Sequence, residues 1–177
     1  MRGAAAGFTL LEVLIAIVVV AFGLLGLAGL QVFALKNNTS ASQRVTATNL
    51  ATDIIDRMKA NFQGVVAGGY NQSSTGSYNT QVTSCNQPGG CGFAALAQND
   101  LYEWSRQVSA ALPGGTGLVC LDSTPPPTNI NVTPTPASPE CDGTGGTLYV
   151  VKIFWYDDRS RTNTTATRKY LFTAFNP

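Results

Sequence analysis

The chain has no histidine among its 177 residues. That removes the commonest general base and a favoured zinc ligand together. The usual Ser–His and Cys–His nucleophile arrangements are therefore absent, and no glycine-rich phosphate loop opens a helix. Charge is also scarce: 12% of residues are charged, with 11 basic against 10 acidic. No basic stripe or arginine cluster marks a nucleic-acid surface. Proline is missing until Pro88, so nothing covalent interrupts a helix over the first half of the chain. These absences argue against catalysis, call for no cofactor and no metal, and lead to no inferred nucleic-acid partner.

What is present is an apolar run from Phe8 to Leu35 behind a short basic leader, residues 1–7. The run exceeds the about 20 residues needed to cross a bilayer as a helix. One carboxylate, Glu12, interrupts it. A charged side chain at the centre of a membrane helix costs roughly 2.5–3.5 kcal/mol on the lenient insertion scale, so Glu12 needs a reason. A secretory signal cleaved near Gly26-Leu27-Ala28 fits poorly, because an h-region of about 7–15 residues is shorter and carries no acid. A plain single-span anchor leaves Glu12 unexplained.

The block Gly7-Phe8-Thr9-Leu10-Leu11-Glu12-Val13-Leu14-Ile15 resembles the prepilin signature of type IV filament subunits. The resemblance implies cleavage between Gly7 and Phe8 by a prepilin peptidase and N-methylation of Phe8. It also implies that Glu12, fifth residue of the processed chain, pairs with the terminal amine of a neighbouring subunit and sets register during filament growth. Such pairing is how a buried charge persists.

Downstream, a helix is expected from Phe8 to about Phe62, roughly 80 Å at 1.5 Å per residue. Residues 8–35 form its transmembrane or filament-core part, apolar on all faces, and 36–62 its amphipathic continuation. Ala47, Leu50, Ala51, Ile54 and Met58 recur at helical spacing on one face, and Asp53 and Arg57 stand four apart. Gly23, Gly26 and Gly29, together with the stretch Asn37 to Ser42, are weak helix material. The glycines read equally as close membrane packing and as a segment able to loosen.

Residues 63–177 read as a globular periplasmic α+β domain. Gly64 to Gln98 is expected to be a loop holding little beyond one short strand. A second helix follows, Leu101 to about Leu112, with Asp100 capping it and Glu103 completing a capping box; Pro113-Gly114-Gly115 ends it. Trp104 reads as a core anchor. Strands are expected at Gly117–Leu121, Leu148–Asp157 and Lys169–Phe175. Alternation sets Val151, Ile153 and Trp155 against Val150, Lys152, Phe154 and Tyr156. Ser123–Pro139 is a Pro/Thr-rich excursion, and the carboxylates Asp157 and Asp158 read as a solvated hairpin end. The Asn-x-Thr triplets at Asn131 and Asn163 read as chance.

Cys85, Cys91, Cys120 and Cys141 form an even set in an exported chain, hence disulfides. Three pairings are open. The local ones, Cys85–Cys91 and Cys120–Cys141, are favoured because each closes a Gly/Pro-rich loop, worth roughly 2–3 and 3–4 kcal/mol in the chain-entropy account. Their spacings do not match structural zinc sites.

The passages DLYEWSRQVSAALPGGTGLVC, YVVKIFWYDDRSR and YLFTAF, with the N-terminal block, resemble the PilV-type minor pilins. The resemblance implies the type IV pilin-like fold, a long helix with its apolar half protruding and the rest packed on a small antiparallel sheet. It further implies a low-abundance subunit that helps initiate pilus assembly near the fibre tip and supports adhesion and twitching motility. Its partners would be the major pilin, other minor pilins, the inner-membrane assembly platform and a tip adhesin. The protein would start in the bacterial inner membrane and end in the pilus. The alternatives are a minor pseudopilin of a type II secretion system and, more distantly, a membrane-anchored binding module that never polymerises.

Overall fold

The computed structural model describes residues 7–72, 80–123, 135–143, 148–157 and 168–177. Helix α1 spans Leu10–Ala60, α2 Phe62–Val66 and α3 Phe93–Ala111. Strands β1 (Thr116–Leu121), β2 (Tyr149–Tyr156) and β3 (Arg168–Phe175) follow, with a 3-10 turn at Thr83–Asn86 before α3. The sheet is antiparallel in the order β1-β2-β3. A long helix packed on a small antiparallel sheet with a further helix is the type IV pilin-like α+β arrangement anticipated above. The chain divides into two compact units, Met1–Ala41 and Ser42–Pro177.

Helix α1 stays helical through Asn37–Ser42 in spite of its poor formers. The hydroxyl of Thr39 donates to the Leu35 carbonyl at 2.9 Å, and Thr46, Thr48 and Thr52 repeat the bond four residues back. Such back-bonding satisfies the hydroxyls but mildly weakens a helix, so continuity here rests on the backbone ladder itself. The helix ends one residue before Asn61, whose side chain accepts from the Gly64 N–H and so starts α2.

In the second unit, Ala47, Ala51, Ile54, Ile55 and Met58 are buried on α1. They join Ala97, Leu101, Trp104 and Val108 of α3 and Val119, Val151, Ile153 and Trp155 of the sheet in one core. The two alanines leave room for bulk opposite. Trp104 fills it, fully buried, and its indole N–H donates to the Leu50 carbonyl at 2.8 Å. Gly117 on β1 faces that ring, and a Cβ there would collide with it. The expected alternation on β2 holds, with Val151, Ile153 and Trp155 in the core. Yet Val150, Lys152 and Phe154 are buried too. Lys152 is met by Asp122 and by the carbonyls of Pro139 and Glu140. A strand buried on both faces explains its nearly continuous apolar sequence. The outer edge of β1 is closed by local amides: Val119 and Gln72 exchange two 2.8 Å bonds, and Leu121 donates to Asn71.

Two expectations need correcting. Residues 64–98 hold no strand among those described; they contain the end of α2, the 3-10 turn and the start of α3. Asp100 does not cap a helix. Helix α3 begins at Phe93, with Gly92 as its N-cap, because Ala94-Ala95-Leu96-Ala97 are strong helix formers and Ala97 extends the buried stripe. The polar pair Asn99-Asp100 only resembled a boundary. Both residues are buried, and Asp100 accepts the Tyr70 hydroxyl at 2.5 Å.

Asp100 belongs to a network that ties α1 to α3. Arg57 meets Asp53 at 3.0 Å, Glu103 at 3.2 Å and Asp100 at 3.6 Å. Asn61 donates to the Tyr70 hydroxyl, and Asn99 links Glu103 to the Val82 N–H. Burial works to lower the Arg57 pKa, but Asp53, Glu103 and Asp100 together hold it above its ordinary value. Burial, then the bond to Asp100, raises the Tyr70 pKa. Burial also raises that of Asp100, against the pull of the Tyr70 hydrogen bond and the Arg57 charge.

The expected leader falls mostly outside the described residues, as do 124–134 of the Pro/Thr excursion, Asn131, Asp158 and Asn163. Asp157 is described and pairs with Lys169 at 3.3 Å.

Two outcomes follow from this packing. Gly117→Ala forces the Trp104 ring to move and is expected to cost about 1–3 kcal/mol in urea unfolding. A raised folded pKa makes ionised Asp100 work against stability at neutral pH, an effect that fades as pH falls through the folded value towards the unfolded one. The stability of Asp100→Asn relative to the parent is therefore expected to decline between pH 7 and pH 4. A difference that is flat or rises on acidification would show that the folded pKa is not raised.

Candidate assembly segment

The backbone enters α1 through Thr9. The Glu12 N–H donates to the Thr9 carbonyl at 3.1 Å and to its hydroxyl at 3.3 Å. Thr9-Leu10-Leu11-Glu12 has the S/T-x-x-E spacing of a capping box, and the hydroxyl half of that motif is formed. Glu12 stands out in the sequence by its charge, and its spacing from Thr9 is a second signal there, for the start of the helix. A carboxylate in the first turn gains from the positive end of the helix dipole.

Gly7 is exposed, and a Cβ placed there would touch nothing within 4 Å. The junction after it is accessible on its described side. Phe8 is 82% exposed. Glu12 stands on the same side of the helix as Phe8, and that side continues through Ala16, Ile17, Val20 and Leu24. The Glu12 carboxylate has no side-chain partner among the described residues, and every residue from Gly7 to Thr39 is exposed. Large apolar side chains run all round this stretch, from Leu10 through Phe22 to Leu35. Gly23, Gly26 and Gly29 have open space where a Cβ would stand.

Burying a Leu, Ile or Phe side chain contributes about 1.5–3 kcal/mol. Leaving more than a dozen exposed in water is untenable, so lipid or other helices must cover them. The same helix is long and apolar enough to cross a membrane. The segment is an apolar rod carrying one carboxylate in its first turn.

The cysteines lie in the second unit. Cys85 and Cys91 are joined with Cα atoms 4.6 Å apart, closing the turn that precedes α3. Cys120 and Cys141 are joined at 6.1 Å, from β1 to the segment that covers the sheet's second face. No cluster of three or more metal-ligating side chains occurs among the described residues.

A family model for the prokaryotic N-terminal methylation motif matches residues 2–28, and one described as type IV pilin Tt1218 matches residues 29–102. No curated protein and no solved structure matches the chain. The methylation motif implies processing by a prepilin peptidase and assembly with other pilins. With the apolar helix it fits a subunit anchored in the inner membrane. The two matches adjoin, and together they support a subunit of the pilin or pseudopilin kind.

Proposed function

We propose that this chain is a minor pilin of the PilV type that helps initiate type IV pilus assembly near the fibre tip, in support of adhesion and twitching motility. The observation that carries the reading is the exposed apolar helix with Glu12 in its first turn, one turn after Phe8. Prepilin peptidase cuts after Gly7, and the new terminus at Phe8 is methylated. The leader is then residues 1–7, the membrane and filament-core segment 8–35, its amphipathic continuation 36–62 and the periplasmic domain 63–177.

In the assembled fibre, Glu12 receives the charged terminal amine of a neighbouring Phe8. Outside lipid headgroups and water, each charge needs the other, because an unpaired buried charge costs several kcal/mol. A subunit in the wrong axial register would leave both unpaired. The partners are the major pilin and other minor pilins in the fibre, the inner-membrane platform beneath it and a tip adhesin above. Support for the minor-pilin assignment comes from the Asp100–Cys120 passage, which builds the Trp104 core, and from the aromatic strands β2 and β3.

A deletion strain separates this reading from a pseudopilin. Loss of surface fibres and twitching, with type II secretion intact, is the expected result. Lost secretion with normal pili would assign the chain to the secretion system instead.

Two substitutions test the segment directly. Gly7→Arg is expected to leave the leader uncut, seen as a slower band on a denaturing gel; normal mobility of the processed form would misplace the cleavage site. Glu12→Ala is expected to lower incorporation into sheared fibres at least tenfold, while membrane insertion and leader cleavage continue. Normal incorporation would sink the register role of Glu12.

A further inference from the structure

The assembly reading makes no use of Lys152 and Asp122. Lys152 sits in the middle of β2 with 2% of its surface exposed, and Asp122, just past β1, is 3% exposed. The Lys152 nitrogen lies 2.6 Å from the Asp122 carboxylate and 2.8 Å from each of the carbonyl oxygens of Pro139 and Glu140. The Phe172 ring closes the site, its centroid 5.6 Å from that nitrogen, and Phe154 packs edge-on against Phe172. Glu140, whose own carbonyl is one of these oxygens, is the one non-glycine residue with a left-handed backbone among the described residues, at φ 58°. One oxygen of its carboxylate is buried and has no hydrogen-bond partner among them.

We propose that Lys152 and Asp122 condense to an intramolecular amide, with Glu140 carrying the proton. A lysine–carboxylate pair taken out of water costs several kcal/mol per ion before its attraction is counted. Moving one proton from the ammonium to Asp122 removes both charges. The amine then keeps two N–H groups, and the carbonyls of Pro139 and Glu140 accept them. This leaves the nitrogen lone pair directed at the Asp122 carboxyl group, whose nearer oxygen is 2.6 Å away, and a small rotation of that group presents its carbon. Such holding is the condition under which an intramolecular reaction outruns its bimolecular counterpart by many orders of magnitude.

The nitrogen attacks that carbon and the N–C bond forms. The Glu140 carboxylate takes a proton from the nitrogen and passes it to the departing hydroxyl. Water leaves and Glu140 is regenerated. An ammonium and a carboxylate become one amide and one water, with no oxidant, reductant or cofactor. The product joins the end of β1 to the middle of β2, beside the Cys120–Cys141 disulfide, and unlike that disulfide it survives thiols. The base of the 123–139 excursion would then stay closed under reduction or tension.

Peptide mass spectrometry of the full chain, purified from membranes in detergent, reduced, alkylated and digested, tests this. The expected result is one branched peptide joining the segments that hold Asp122 and Lys152, about 18 Da lighter than their sum because one water is lost. Separate linear peptides at unmodified mass would overturn the proposal. Glu140→Gln is expected to lower the linked fraction at least tenfold. An unchanged fraction in that variant would overturn the role of Glu140 while the link itself stands.

Discussion

Backbone hydrogen bonding carries α1 without interruption from Leu10 to Ala60, while the side chains around it change from wholly apolar to amphipathic. Everything else in the structure depends on that continuity. A helix satisfies its own peptide groups internally, so the same backbone is stable in lipid, where nothing else could satisfy them, and in water. Proline would break this property, and the chain has none before Pro88. The ladder runs through the weak formers at Asn37–Ser42 without a break. The helix therefore serves two environments with one secondary structure and differs only in what its side chains ask for.

In the second unit, the demand is met inside the chain. Small residues on α1, Ala47 and Ala51, face large ones on α3 and the sheet, and Trp104 is the piece that interdigitates. Apolar packing alone is permissive about how two helices slide past each other. The polar network around Arg57 is not, because a shift along the axis would leave Asp100 buried without Tyr70 and Arg57. Buried charge is expensive unless every partner is present. On the other face of the sheet, Lys152 with its three oxygens does the same for residues 139 and 140.

In residues 10–35, the demand is not met inside the chain. Each apolar side chain there is exposed, and the Glu12 carboxylate lacks a side-chain partner among the described residues. The free-energy balance of this segment closes only in the company of lipid or other subunits. The similarity of residues 2–28 to the methylation motif and of 29–102 to a type IV pilin model fits that picture from a separate direction.

Much of this was readable along the chain. Periodicity of 3.6 and of 2 are local signals, so the long helix, its buried stripe and the three strands could be read to within a residue or two at most ends. Glu12 could be singled out for the same reason: a lone acid in an apolar run is visible without a fold. The start of α3 could not, because Asn99-Asp100 has the composition of a helix cap, and only contact with Tyr70 and Arg57 makes it interior. Lys152 likewise alternates correctly on β2 but gives no hint that its face is covered, since Asp122, Pro139 and Glu140 reach it from elsewhere in the chain. The sequence by itself determined the long helix, the three strands, the apolar run and its single carboxylate, because those depend on neighbours a few residues apart. Only the tertiary structure decided which polar groups are buried and with whom, because burial depends on chain segments tens of residues apart meeting in space.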